Sequence, residues 1–122
     1  MYYTMSLSFG EHLRRRREEL RATDPRYSVR QVAARVGLEP SYLSKIERGE
    51  QSPPSEESIR ALARDLAEDP DVLLAMAGKV SSDLQRIILK RPRLVAELLR
   101  DLKNLPDHAV LRLVREVRDG HW

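Results

Sequence analysis

Residues 29–48 read VRQVAARVGLEPSYLSKIER, and this stretch decides the fold. Val29, Val32, Ala33 and Val36 fall on one side of a helix, and Ser28 stands before them with Gln31 three residues on, the spacing of a capping box. Gly37 then ends the segment, since glycine takes a left-handed turn at no steric cost. Pro40 suits the first position of a following helix because its missing N–H is an unpaired donor there in any case. Leu43 and Ile46 give that helix an inner edge. Ala33 is small where the two helices must cross, and Val32, Val36, Leu38, Leu43 and Ile46 are apolar where they must pack. The pattern predicts two short helices held closely around a tight turn, filled more completely than an ordinary helical hairpin requires.

Outward from this hairpin the chain reads as all-α. Phe9, Leu13 and Leu20 mark a first helix over about residues 9–22, broken at Thr23-Asp24-Pro25. Ser55 caps a fourth helix that opens Glu56-Glu57 and turns Ile59, Leu62, Ala63 and Leu66 inward. Asp69-Pro70 leads a short fifth helix, over about residues 72–77, stopped by Gly78. Beyond Lys79, Ser82 and Gln85 repeat the capping-box spacing, and Pro92 and Pro106 divide three amphipathic helices over about residues 82–91, 93–104 and 107–119. The expected organisation is an arm over 1–8, a five-helix domain over 9–78 and a helical segment over 79–122.

The composition narrows the functional classes. The 122 residues contain no cysteine, which excludes disulfides, thiolate metal sites and cysteine nucleophiles and suits a reducing, cytoplasmic compartment. Met1 to Phe9 lacks the pattern of a signal peptide, and no run approaches the ~18 apolar residues of a membrane span. His12, His108 and His121 form no metal-ligand spacing, and the five glycines are isolated, so no phosphate loop exists. No enzyme, metal or cofactor is expected. The net charge of +3 separates nothing, but its distribution is uneven. Residues 12–48 hold ten Arg/Lys against five Asp/Glu, a net of +5. Residues 50–72 hold two against seven, a net of −5, and residues 79–122 hold ten against six, a net of +4. A basic face with an acidic back suits a polyanion binder, although blocks in sequence need not become patches on a surface.

The segments FGEHLRRRREEL, SVRQVAARVGLEPSYLSKIERGE and PPSEESIRALARDL together resemble the XRE family, the Cro/lambda-repressor-like helix-turn-helix regulators. The resemblance spans about residues 9–78 and implies a five-helix DNA-binding domain whose third helix, residues 40–48, enters the major groove. It places Ser41, Ser44 and Lys45 toward base edges, and Tyr42 and Arg48 toward the phosphate backbone. Lys45 suits guanine O6/N7, and Pro40 can touch a thymine methyl. Four successive arginines, Arg14 to Arg17, span every face of a helix, so at least one points inward. The resemblance selects Arg17, paired with Glu47. Two departures stand out. Val29 replaces the family's frequent phosphate-anchoring glutamine, leaving that contact to backbone N–H groups with Arg30 or Gln31. Glu39 replaces the usual Ser or Thr cap of the third helix, a mildly unfavourable charge at the entrance facing DNA.

The first function expected is a transcriptional regulator, a homodimeric repressor reading a pseudo-palindromic operator, because one short helix offers few base contacts. Leu94, Leu98, Leu102, Val110, Leu113, Val114 and Val117 are the candidate dimer interface. The alternatives are an antitoxin or phage-immunity regulator whose C-terminal helices bind a partner protein, and a helical adaptor that has lost DNA binding. Tyr2, Tyr3 and Trp122 are read as terminal packing or interface contacts.

Overall fold

Ser8 Oγ accepts a hydrogen bond from the N–H of Glu11 at 3.2 Å while the Glu11 carboxylate accepts from the N–H of Ser8 at 3.3 Å. This reciprocal capping box starts helix α1, Phe9–Arg21, in the computed structural model, which describes residues 8–122. Ser8, the last residue of the lead-in expected from the sequence, is thus the N-cap of this helix. The rest of that expected arm, with Tyr2 and Tyr3, lies outside the described residues. A single turn of 3-10 helix, Pro25–Tyr27, absent from the sequence reading, follows the break and is capped by Asp24. Then come α2, Val29–Val36; α3, Pro40–Glu47; α4, Glu56–Asp65; and α5, Pro70–Met76.

Side-chain caps explain most of these starts. Ser28 Oγ accepts from the Gln31 N–H, Ser55 Oγ from the Ser58 N–H and Asp69 from the Asp71 N–H. Each satisfies one of the donors a helix start leaves open. The box expected at Ser28 and Gln31 is only half made, because no return bond comes from the Gln31 side chain. Gly37 ends α2 at φ 76°, the left-handed conformation that β-carbon sterics deny most residues.

One core joins the first five helices. α1 packs on α3, α2 packs on α3 and α4, and α4 packs on α5. Phe9 and Leu13, Val32 and Ala33, Leu43 and Ile46, Ile59, Leu62, Ala63 and Leu66, and Leu73 with Leu74 are all buried. α1 approaches α3 very closely at Gly10, where a β-carbon would lie 2.1 Å from the Ile46 carbonyl oxygen. Only glycine fits there. An ion pair and a hydrogen bond tie distant segments across this core: Arg35 forks onto Asp65 at 2.7 and 3.1 Å, and His12 hydrogen-bonds to Glu68. Arg35 also stands 5.0 Å from the centre of the Tyr27 ring, within cation–π range. The acidic block thus neutralises part of the basic block side by side, so the two do not divide cleanly into opposite faces.

The chain divides into two compact units after Ser81. Ser81 is buried, and the Lys79 ammonium donates to the Pro54 carbonyl at 2.8 Å, so the first unit extends past Gly78. The second unit contains α6, Ser82–Lys90; α7, Pro92–Leu102; and α8, Asp107–Asp119. Ser82 is the first residue of α6. All three helices are amphipathic, yet none of residues 82–122 is buried. Among the described residues, no helix is long and apolar enough to cross a membrane.

Candidate nucleic-acid interface

Helix α3 carries two faces with opposite duties. At 100° per residue, Leu43, Ile46 and Glu47 cluster on one side, and these are its buried residues. Ser41, Lys45 and Arg48 cluster on the opposite side and are exposed, with Ser44 beside them half-buried. Pro40 is exposed at the N-terminal end. Tyr42 differs from its sequence placement on the outer side. It is half-buried and packs against the core.

Beneath this surface lies a buried ion pair. Arg17 Nε donates to Glu47 at 2.7 Å and a second guanidinium nitrogen donates at 2.8 Å, a two-pronged contact between α1 and α3. A third bond runs from Arg17 to the Tyr27 carbonyl at 3.2 Å. Both side chains are buried, at 6% and 5% exposure. Hydrogen bonding to Glu47 holds the guanidinium above the ordinary arginine pKa, against the desolvation that opposes its charge. The other arginines of the run diverge: Arg14 pairs with Glu18, Arg16 donates to the Leu66 carbonyl, and Arg15 is exposed.

The N-terminus of α2 adds the second contact region. Arg30 and Gln31 are exposed there. The Gln31 N–H is committed to Ser28, so a backbone contact to a phosphate falls to the N–H groups of Val29 and Arg30. Arg48 is also engaged, its guanidinium donating to Glu50 at 2.7 and 3.4 Å. This contact raises the Arg48 pKa and lowers that of Glu50, each through the hydrogen bond to the other. Sequence reasoning did not single out Glu50, although it stands only two residues from Arg48. It also missed the box of Ser8 and Glu11, whose Ser-x-x-Glu spacing was legible.

In the second unit, Leu94, Leu98, Leu113, Val114 and Val117 are exposed, while Leu102 and Val110 are half-buried. Leu94 and Val117 reach 61% and 68% exposure, high for apolar residues on amphipathic helices. Trp122 is almost wholly exposed, with its indole N–H donating to the Val117 carbonyl at 3.0 Å. Among the described residues, no group of three or more His, Asp or Glu side chains is arranged to hold a metal ion.

A capped α2, a glycine turn and an α3 braced from behind by a buried ion pair define a helix-turn-helix DNA-binding domain. Residues 8–76, more than half of the chain, match the helix-turn-helix domain family, and the chain belongs to it. That family is associated with regulators of the XRE type. The chain matches no curated protein and no solved structure at a significant level.

Proposed function

We propose that the protein is a sequence-specific transcriptional regulator, a cytoplasmic homodimeric repressor that reads a pseudo-palindromic operator. It acts by binding and carries out no reaction, without cofactor or metal. The exposed face of α3 carries this reading: Ser41, Ser44 and Lys45 stand together on a helix whose back is locked into the core. In the major groove, Lys45 donates to guanine O6/N7 and the serines serve as short donors or acceptors. Arg48 leaves Glu50 for a backbone phosphate, and Arg30 and Gln31 contact phosphate at the start of α2. Two such helices one DNA turn apart supply the contacts that a single α3 lacks.

The uncovered apolar faces of α7 and α8 support the dimer. Helices of 11 and 13 residues are marginal alone in water, and burying Leu94, Leu98, Val114 and Val117 against a second copy stabilises them. The same faces would serve the antitoxin or phage-immunity alternative, in which another protein covers them. The deciding experiment selects bound sequences from random duplex DNA with the whole chain. A palindromic consensus with half-sites one helical turn apart supports the proposal. Recovery of no preferred sequence, at low salt as well as physiological salt, overturns it in favour of an adaptor.

A further inference from the structure

Glu39 stands at the N-cap of α3, with extended backbone at φ −70° and ψ 137°, and its side chain makes no capping hydrogen bond. Every other N-cap in the first unit commits its side chain: Ser8, Asp24, Ser28, Ser55 and Asp69 each accept from their own helix. Glu39 is also exposed and joins no ion pair among the described residues. Its charge gains only a modest interaction with the positive end of α3. The fold therefore leaves a carboxylate unengaged beside the exposed Pro40 and Ser41, at the end of the helix that enters the groove first.

Next to a polyanion, such a group is repelled unless it meets a hydrogen-bond donor. Only cytosine N4 and adenine N6 donate in the major groove. Adenine flanks N6 with the acceptor N7, which repels a carboxylate, whereas cytosine flanks N4 with a C–H group. Guanine O6/N7 and thymine O4 present acceptors alone. We propose that Glu39 is a specificity-determining residue that accepts a hydrogen bond from cytosine N4 and rejects guanine and thymine at one position of each half-site. The inference rests on the DNA-binding reading above. It also fixes a spacing. Glu39 and Lys45 are six residues apart, roughly 9 Å along a helix, a backbone separation of about three base-pair steps.

The test repeats the duplex selection with the full chain carrying Glu39→Gln and Glu39→Ala. Thermal melting checks that both stay folded, which the absence of any capping bond from the Glu39 side chain predicts. The parent should prefer cytosine at one symmetric position by about 10-fold over thymine. Glu39→Gln should move that preference to adenine, since an amide both donates to N7 and accepts from N6. Glu39→Ala should accept all four bases there and leave the other positions unchanged. An identical consensus for all three proteins, with the variants binding every duplex equally more tightly, would show a purely repulsive charge and overturn the proposal. A parent that selects no sequence overturns the DNA-binding reading itself, and the two failures are thereby distinct.

Discussion

Arg17 and Glu47 meet across α1 and α3 through two hydrogen bonds of 2.7 and 2.8 Å, with both side chains out of solvent. Glu47 lies on the back of the helix whose front carries Ser41 and Lys45, so the pair sets the orientation of the candidate reading face. A buried pair contributes little net stability, because desolvation offsets most of its attraction, but losing one partner strands a charge. Arg17→Ala should therefore cost about 3–5 kcal/mol in denaturant unfolding. Arg15→Ala, at an exposed position, should stay within about 0.5 kcal/mol. Equal effects of the two changes would refute the assignment.

Gly10 and Gly37 separate two reasons for needing glycine. A β-carbon at Gly10 meets the carbonyl oxygens of Ile46 and Glu47 at 2.1 and 2.9 Å, so Gly10→Ala pushes α1 away from α3 and should cost about 1–3 kcal/mol or more. At Gly37 no atom lies within 4 Å, and only the φ of 76° opposes a side chain. Gly37→Ala should cost about 1–2 kcal/mol, and Gly37→Asn less, because asparagine tolerates the left-handed region. Urea unfolding of the three variants checks both claims. An Asn no better than Ala at position 37 would sink the conformational explanation.

Lys45 and Arg48 should fail differently on DNA. Lys45→Ala should relax base preference at one symmetric position, at a cost of about 1–3 kcal/mol for each half-site. Arg48→Ala should weaken all duplexes alike and flatten the salt dependence by about one unit per subunit. The effect of Arg48→Ala should be larger in a Glu50→Gln background at matched salt, because no carboxylate then competes with phosphate for the guanidinium. Titrations against matched and scrambled duplexes at several salt concentrations give both quantities. A Lys45→Ala variant that keeps the parental consensus would remove Lys45 from the reading face.

The dimer proposal makes a prediction about two different lesions. Light scattering should give a dimer for the whole chain and a monomer for Leu98→Asp, which places a charge in the apolar stripe of α7. A chain ending at Ser81 should also be a folded monomer, since every buried apolar residue of the core lies between Phe9 and Leu74. Ending at Gly78 instead should destabilise it, by removing the Lys79 bond to Pro54 and the buried Ser81. A whole chain that stays monomeric at micromolar concentration without DNA contradicts the interface.

Asp24 gives a pH prediction. Its carboxylate accepts from the Arg26 guanidinium at 2.8–3.2 Å and from the Arg26 N–H at 3.0 Å, and these bonds pull its pKa down from 3.8 to about 2. A depressed carboxyl favours the folded state above its ordinary value, and that contribution fades as the pH falls from 3.8 toward 2. Asp24 is only half-buried and its partner Arg26 is exposed, so the effect on global stability is small. NMR titration should find the midpoint near 2, and Arg26→Ala should return it part of the way, since the backbone bond remains. A midpoint unmoved by that substitution would assign the whole shift to the backbone N–H.

Most of the α2–α3 hairpin was legible because its signals are local. Val32, Ala33, Leu43 and Ile46 recur at the helical period, Ser28 and Ser55 sit one residue before the helices they cap, and Gly37 and Pro40 punctuate within four residues of one another. Backbone geometry alone turns such spacings into faces and ends. The choice of Arg17 among four arginines is of another kind. Periodicity requires only that one of them face inward, and the pairing with Glu47 came from the family pattern.

What the tertiary structure decided depends on residues brought together from far apart or on side-chain direction. Gly10 looks like any helix-start residue until α1 lies against the end of α3 and leaves no room for a β-carbon. Asp65 reaches Arg35 and Glu68 reaches His12 across 30 and 56 residues, so blocks of opposite charge that appear segregated along the chain interleave in space. Tyr42 is half-buried against the core although Ser41 and Lys45 on the same helix are exposed. Glu39 is free because its side chain does not fold back onto α3, which no spacing rule encodes. Sequence by itself determined where helices begin, end and turn apolar, since those follow from the fixed geometry of a few residues. The partners of each charge, and the positions where no side chain fits, follow only from how the helices pack.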